Sequence, residues 1–138
     1  MLKRILVAFD GSDQAEKAFR LGLEIAKKFS AKVVAVGVVR LPEPAISVEV
    51  EAMLDRGKQH FDEVFGRLEK ESAQHGVAFE SHVVVGHPAE QVLRQAEDTH
   101  ADLIVMGRRG MSRATRWILG SVSERVLRYA HCPVMVVK

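Results

Sequence analysis

The sequence predicts an α/β fold: an open, parallel five-stranded sheet with helices on both faces. Three observations carry this expectation. Short Val- and Ile-rich runs, apolar on both sides, alternate with longer stretches of helical spacing from one end of the chain to the other. No internal repeat, low-complexity tract or linker divides the 138 residues. At 47% hydrophobic content that length suffices for one core and is too short for two ordinary ones, so residues 1–138 are expected to form a single domain.

The elements follow in order. "KRILVAF" is the first strand, and Ser12 or Asp13 caps a helix whose Ala15, Ala18, Phe19, Gly22, Ala26 and Phe29 fall on one stripe. "KVVAVGVV" is the second strand, and the proline-bearing "RLPEPAIS" reads as a loop. Val50, Leu54, Phe61, Val64, Phe65, Leu68 and Ser72 mark the inward face of the second helix, which "HG" at Gly76 closes. "AFESHVVV" is the third strand. Pro88 then opens a third helix from a first-turn position, presenting Val92, Leu93 and Ala96. "DLIVM" is the fourth strand. The fourth helix begins at Ser121, with Glu124 three residues on at capping-box spacing, and "PVMVV" ends the sheet.

In such a sheet the crossovers are right-handed, and ligands bind beyond the carboxyl ends of the strands where the winding reverses. The positions to inspect are therefore Asp10, residues 38–41, Gly86 with His87, and Gly107 onward.

Charge points to the last of these. The chain carries a formal net charge of +2, which by itself supports no nucleic-acid or membrane partner. Yet residues 107–128 hold Arg108, Arg109, Arg113, Arg116, Arg125 and Arg128 against the single acid Glu124, a net +5 that leaves −3 elsewhere. Such a concentration suits a small anionic ligand.

The same stretch, "GRRGMSRATRWILGS", has the parts of a phosphate site. Gly107 and Gly110 lack a Cβ, so the backbone can turn tightly, take positive φ and approach a ligand. Gly120 and Ser121 stand at a helix start, where free N–H groups and the helix dipole favour negative charge. Arginines, Arg109 foremost, add charge-assisted hydrogen bonds. The spacing is neither G-x-x-x-x-G-K-[ST] nor G-x-G-x-x-G, and no lysine lies within residues 107–121.

Gly107, two residues, Gly110, nine residues, then Gly120 and Ser121 resemble the G-2x-G-9x-G-[ST] loop of the universal stress protein family, in its ATP-binding branch. "ILVAFDGS", "IVMGRRG", "GSVSERVL" and "HCPVMVV" are similar to that family too, so the likeness spans the whole chain. The resemblance implies a Rossmann-like fold of the adenine nucleotide alpha hydrolase kind. It implies that Asp10, ending the first strand, contacts the nucleotide through the ribose, and that Ala8, in a place often held by proline, lies under the base. Val38 or Val39 would meet adenine through its main chain. Met106, Gly107, Arg109 and Gly110 correspond to ribose and phosphate contacts, and Gly120, Ser121, Val122 and Ser123 to the phosphate-holding helix start. The implied ligand is ATP, with AMP or ADP as variants, and Mg2+ accompanies it with Asp10 as an outer-shell partner. The family pairs two chains along the last strand, which implies a homodimer through Val134–Val137.

Other residues admit plainer roles. Asp10 can also serve the "DGSD" turn, and Arg108, Arg113 and Arg116 can face solvent. Trp117 reads as a packing anchor rather than a base-stacking residue. The six histidines form no His-x-x-x-His pair, so no protein metal site is expected, and His87 reads as a helix cap. The single Cys132 cannot make an internal disulfide and reads as an inert, partly buried thiol. The apolar run of the opening stretch is too short for a signal peptide or membrane span, which together with the lone cysteine gives a cytoplasmic reading.

Three functions are consistent with these residues. The first is an ATP-binding stress-response regulator or sensor, hydrolysing at most slowly and acting on an unknown protein partner, with no catalytic residue assigned. The second is an ATP hydrolase or nucleotidyl transferase, and the third a dimerising interaction module independent of nucleotide.

Overall fold

The computed structural model describes residues 1–40, 47–108 and 119–138. Most of the "RLPEPAIS" stretch and the segment holding Arg109, Gly110, Arg113, Arg116 and Trp117 lie outside the described residues. The element order is β1 (Arg4–Ala8), α1 (Asp13–Phe29), β2 (Lys32–Val39), α2 (Ser47–Gln74), β3 (Phe79–Val85), α3 (Pro88–Asp98), β4 (Leu103–Gly107), α4 (Ser121–Tyr129) and β5 (Val134–Val137).

All five strands run parallel in the order β3-β2-β1-β4-β5. Winding therefore proceeds outward from β1 to β3, then jumps back to β4, so the reversal falls between β1 and β4. The inner strands β1, β2 and β4 are nearly continuous apolar runs because both their faces are covered. Ile5, Val7, Val33, Ala35 and Val105 pack under α1 and α2 with Phe19, Phe65 and Leu68. Leu6, Val34, Val36, Ile104 and Met106 pack under α3 and α4 with Val92, Ala96 and Val126.

Helix ends follow local chemistry. Ser12, not Asp13, caps α1: its Oγ accepts from the Ala15 N–H at 3.1 Å. The α1 stripe holds at Ala15, Ala18, Phe19, Gly22 and Ala26, with Leu23 added. Phe29 is a correction: it is 56% exposed, because the helix ends there and the chain turns through Ser30 at φ 54° to bury Ala31 instead. Ser72, on the α2 stripe, is fully buried and donates to the Leu68 carbonyl at 2.8 Å, which satisfies its hydroxyl inside the core. Pro88 opens α3 as expected, with His87 at the N-cap position but making no side-chain cap bond. The capping box at Ser121 does not form. Gly120 is the N-cap of α4, Ser121 is already helical, and the Glu124 N–H bonds to the Gly120 carbonyl at 2.9 Å.

The two sheet edges differ. At β3, Glu80 accepts from Lys32 Nζ at 2.7 Å and meets His82 Nε2 at 2.6 Å, so the edge carries charge. Lys32, then His82, hold the Glu80 carboxyl below the usual carboxylate range. At β5 all four residues, Val134, Met135, Val136 and Val137, are apolar and half-exposed.

Candidate nucleotide crevice

Beyond the carboxyl ends of the strands lies a crevice of about 480 Å³, inside the roughly 300–1,000 Å³ usual for small-molecule sites. It opens where the winding reverses. Its apolar lining comprises Ala8, Val36, Val38, Val92 and Met106 on the α3 and α4 face of the sheet and Phe9, Ala15 and Phe61 on the α1 and α2 face. Its polar lining includes Asp10, Ser12 and the start of α4.

The β1 end is shaped by a turn. Asp10 Oδ1 accepts from the Ser12 N–H at 3.0 Å, and Ser12 in turn caps α1, so the carboxylate is held at the crevice while the chain enters the helix. Asp10 thus has the turn role and the crevice position together. Among the described lining residues, Asp10 and Arg40 are the charged ones.

The α4 end offers N–H groups. A helix leaves its first N–H groups without intrahelical acceptors, and the N-cap residue Gly120 has no side chain to cap them. Ser121, Val122 and Ser123 line the crevice there, so the positive end of the helix dipole and N–H donors without an acceptor among the described residues open onto it. The base of the intervening segment is pinned. Gly120 N–H donates to the Arg108 carbonyl at 2.9 Å, and Arg108 N–H donates to the Val137 carbonyl at 2.8 Å. Ser123 is 2% exposed, and its hydroxyl lies 2.7 Å from the Gly107 carbonyl and 3.0 Å from that of Arg108. Its proton is therefore committed to the stem.

Of the residues read from the sequence, Ala8, Asp10, Val38, Met106, Gly107, Gly120, Ser121, Val122 and Ser123 all line this crevice. Gly107 does so as the last residue of β4, paired with Val137, without using the positive φ open to a glycine. Val39 faces the other way, under α2. Arg109 and Gly110 lie outside the described residues.

Sequence reasoning passed over Arg40, Phe61 as a crevice residue, and Pro88, which lines the crevice in place of His87. Arg40 fell in the region flagged after the second strand without being singled out, whereas Phe61 carried only a core signal. Away from the crevice, Cys132 is half-buried, and burial together with the Asp102 carboxylate pushes its thiol pKa up, away from reactivity. Among the described residues, no three His, Cys, Asp or Glu side chains gather as a metal would require, and no helix is long and apolar enough to cross a membrane.

Comparison with known proteins agrees with the geometry. The profile of the Universal stress protein family matches residues 1–138. A universal stress protein of Methanocaldococcus jannaschii, MJ0531, is 37% identical over 142 residues, an alignment covering 100% of this chain and 83% of that protein. The solved universal stress protein UspA from Lactobacillus plantarum superposes with a TM-score of 0.91 at 27% identity, covering 99% of this chain and 98% of its own. A third, from Archaeoglobus fulgidus and solved in complex with dAMP, has a TM-score of 0.74 at 23% identity with 100% of both chains covered, a likeness of fold. By profile, identity and fold alike, this chain belongs to the universal stress protein family.

Proposed function

We propose that this chain binds an adenine nucleotide, ATP foremost, in the crevice between β1 and β4 and works as a cytoplasmic regulator of the stress response rather than as a fast catalyst. One observation carries the reading: the uncapped start of α4, the Asp10 carboxylate and an apolar wall open on the same space. The N–H groups of Ser121, Val122 and Ser123 would hold phosphate oxygens, and Arg109 and Gly110 complete that end by their place in the motif. Asp10 would accept from a ribose hydroxyl. Ala8 and Val38 would meet the base. That a family member of the same fold is solved with dAMP supports an adenine ligand.

Mg2+ would accompany the phosphates and supply charge neutralisation there. Asp10, the one acid among the described lining residues, already has Oδ1 committed to Ser12, which supports binding over hydrolysis. A homodimer through Val134–Val137 belongs to the same reading, supported by the contrast between that apolar edge and the charged β3 edge.

Calorimetric titration of the nucleotide-stripped protein with ATP and Mg2+, followed by assay for ADP and AMP, tests it. Saturation near one ATP per chain with little product is expected. No binding at millimolar ATP overturns the nucleotide reading, and turnover at the roughly 1–1,000 per second of ordinary enzymes overturns the regulatory one.

A further inference from the structure

Along β2 the residues that line the crevice climb from its floor to its mouth. Val36 and Val38 lie on the α3 and α4 face of the sheet, whereas Val39, between Val38 and Arg40, lies on the α1 and α2 face. Val36 is 1% exposed, Val38 half-buried and Arg40 exposed, and all three line the crevice. The pairing of β2 does not stop short of Arg40. Gly86 N–H donates to the Val39 carbonyl at 3.0 Å, and that carbonyl belongs to the peptide that carries Arg40, so the alternation continues to it. Arg40 therefore follows Val36 and Val38 on one line, at the rim.

Among the described residues Arg40 makes no ion pair, although Asp10 lines the same space. Nor does it stand at the phosphate end. The start of α4 follows β4, and β1 lies between β4 and β2, so the two ends are two strand spacings apart, about 10 Å. On the Arg40 side the crevice offers Val36 and Val38, the apolar ground of a base.

We infer that the Arg40 guanidinium covers the face of the bound base, opposite Val36 and Val38, an inference resting on the nucleotide reading above. A guanidinium is planar and weakly hydrated for a cation, so it stacks on an aromatic face while the N–H groups at its edge stay in water. Its aliphatic stem lies along apolar surface at no cost to the charge. The glycine loop handles phosphate. Arg40 handles the base, a contact that no part of the loop motif encodes.

The test compares ATP with ribose 5-triphosphate, which lacks only the base. Arg40→Ala should weaken ATP by about 3- to 30-fold, the effect of losing one cation–π contact, and leave ribose 5-triphosphate unchanged. Because the position is exposed, the variant should melt as the wild type does. Arg40→Lys keeps the charge without the plane and should recover only part of the loss. Should ribose 5-triphosphate bind too weakly to measure, adenosine takes its place, and Arg40→Ala should weaken adenosine by the same factor as ATP. Unchanged ATP or adenosine affinity in Arg40→Ala, equal losses for ATP and ribose 5-triphosphate, or full recovery in Arg40→Lys overturns this inference alone. Failure of the wild-type chain to bind ATP overturns the nucleotide reading and this inference with it.

Discussion

The Ser123 hydroxyl donates to the Gly107 carbonyl at 2.7 Å, which ties the first turn of α4 to the last residue of β4. With the Gly120 to Arg108 backbone bond at 2.9 Å it closes the stem from which residues 109–118 leave and return. The phosphate end of the proposed site is thereby fixed to the sheet.

Ser121 and Ser123, two residues apart, should accordingly separate in their effects. Ser123→Ala removes a buried hydrogen bond and is expected to cost about 1–3 kcal/mol of stability, with weaker ATP binding as a consequence. Ser121→Ala, at an exposed position and keeping the backbone N–H assigned to phosphate, is expected to leave the melting curve within about 0.5 kcal/mol of wild type and ATP affinity close to it. Thermal denaturation and calorimetry on both variants check this, and equal melting losses would refute the division.

Asp10 has a turn role and a proposed ligand role, and two substitutions tell them apart. Asp10→Asn keeps an oxygen to accept from Ser12 N–H but loses the charge, so the fold should hold while ATP affinity falls roughly 10-fold or more. Asp10→Ala loses the turn bond as well and should lower the melting temperature in addition. An Asp10→Asn protein that binds ATP as wild type does would remove Asp10 from the site.

At the β5 edge a charge is expected to act on assembly and not on the fold. Val136 is half-exposed and β5 offers unpaired backbone beside it, so Val136→Asp should convert a dimer to a monomer by light scattering. An unchanged mass would refute that interface. The same change at Ser81, on the charged β3 edge, should leave the mass as it was.

Stability should fall on the acid side. The Lys3 and Arg4 N–H groups, at 2.8 and 3.0 Å, hold the Asp102 carboxyl below its usual range, as Lys32 and His82 do for Glu80. A carboxylate with a depressed folded pKa stabilises fully above its unfolded value and loses that contribution as pH falls through the folded one. The contribution of these two groups should therefore be complete at pH 7 and decline below about 4, the ordinary carboxylate range. Asp102→Asn, which cannot ionise, should lower the melting temperature at pH 7 and flatten the acid limb; parallel curves for variant and wild type would contradict this.

Much of the molecule was legible in the residues alone because its signals are local. Strands buried on both faces must be apolar throughout, so "ILVA", "KVVAVGVV" and "LIVM" announce themselves. Helix stripes, the proline at the start of α3 and the glycine spacing that ends at Gly120 are likewise fixed by the chemistry of a few neighbouring residues. Together they bring Asp10 and the start of α4 to one end of the sheet.

What tertiary structure decided was the choice among residues that obey the same local rule. Val38 and Val39 are equal as letters, and only the register of β2 against β1 turns one to the crevice and the other under α2. Phe29 continues the α1 stripe on paper but stands exposed, because a period says nothing about where the surface beneath it ends. Phe61 shares its stripe with Phe65 and Leu68, for burial in a core and burial at a crevice wall impose one and the same apolar requirement. The sliding position of α2 along β2, where Gly37 leaves room for the Phe61 ring and Gly57 for Val39, is what places Phe61 at the crevice wall, and a long-range fit of that kind leaves no period in the chain.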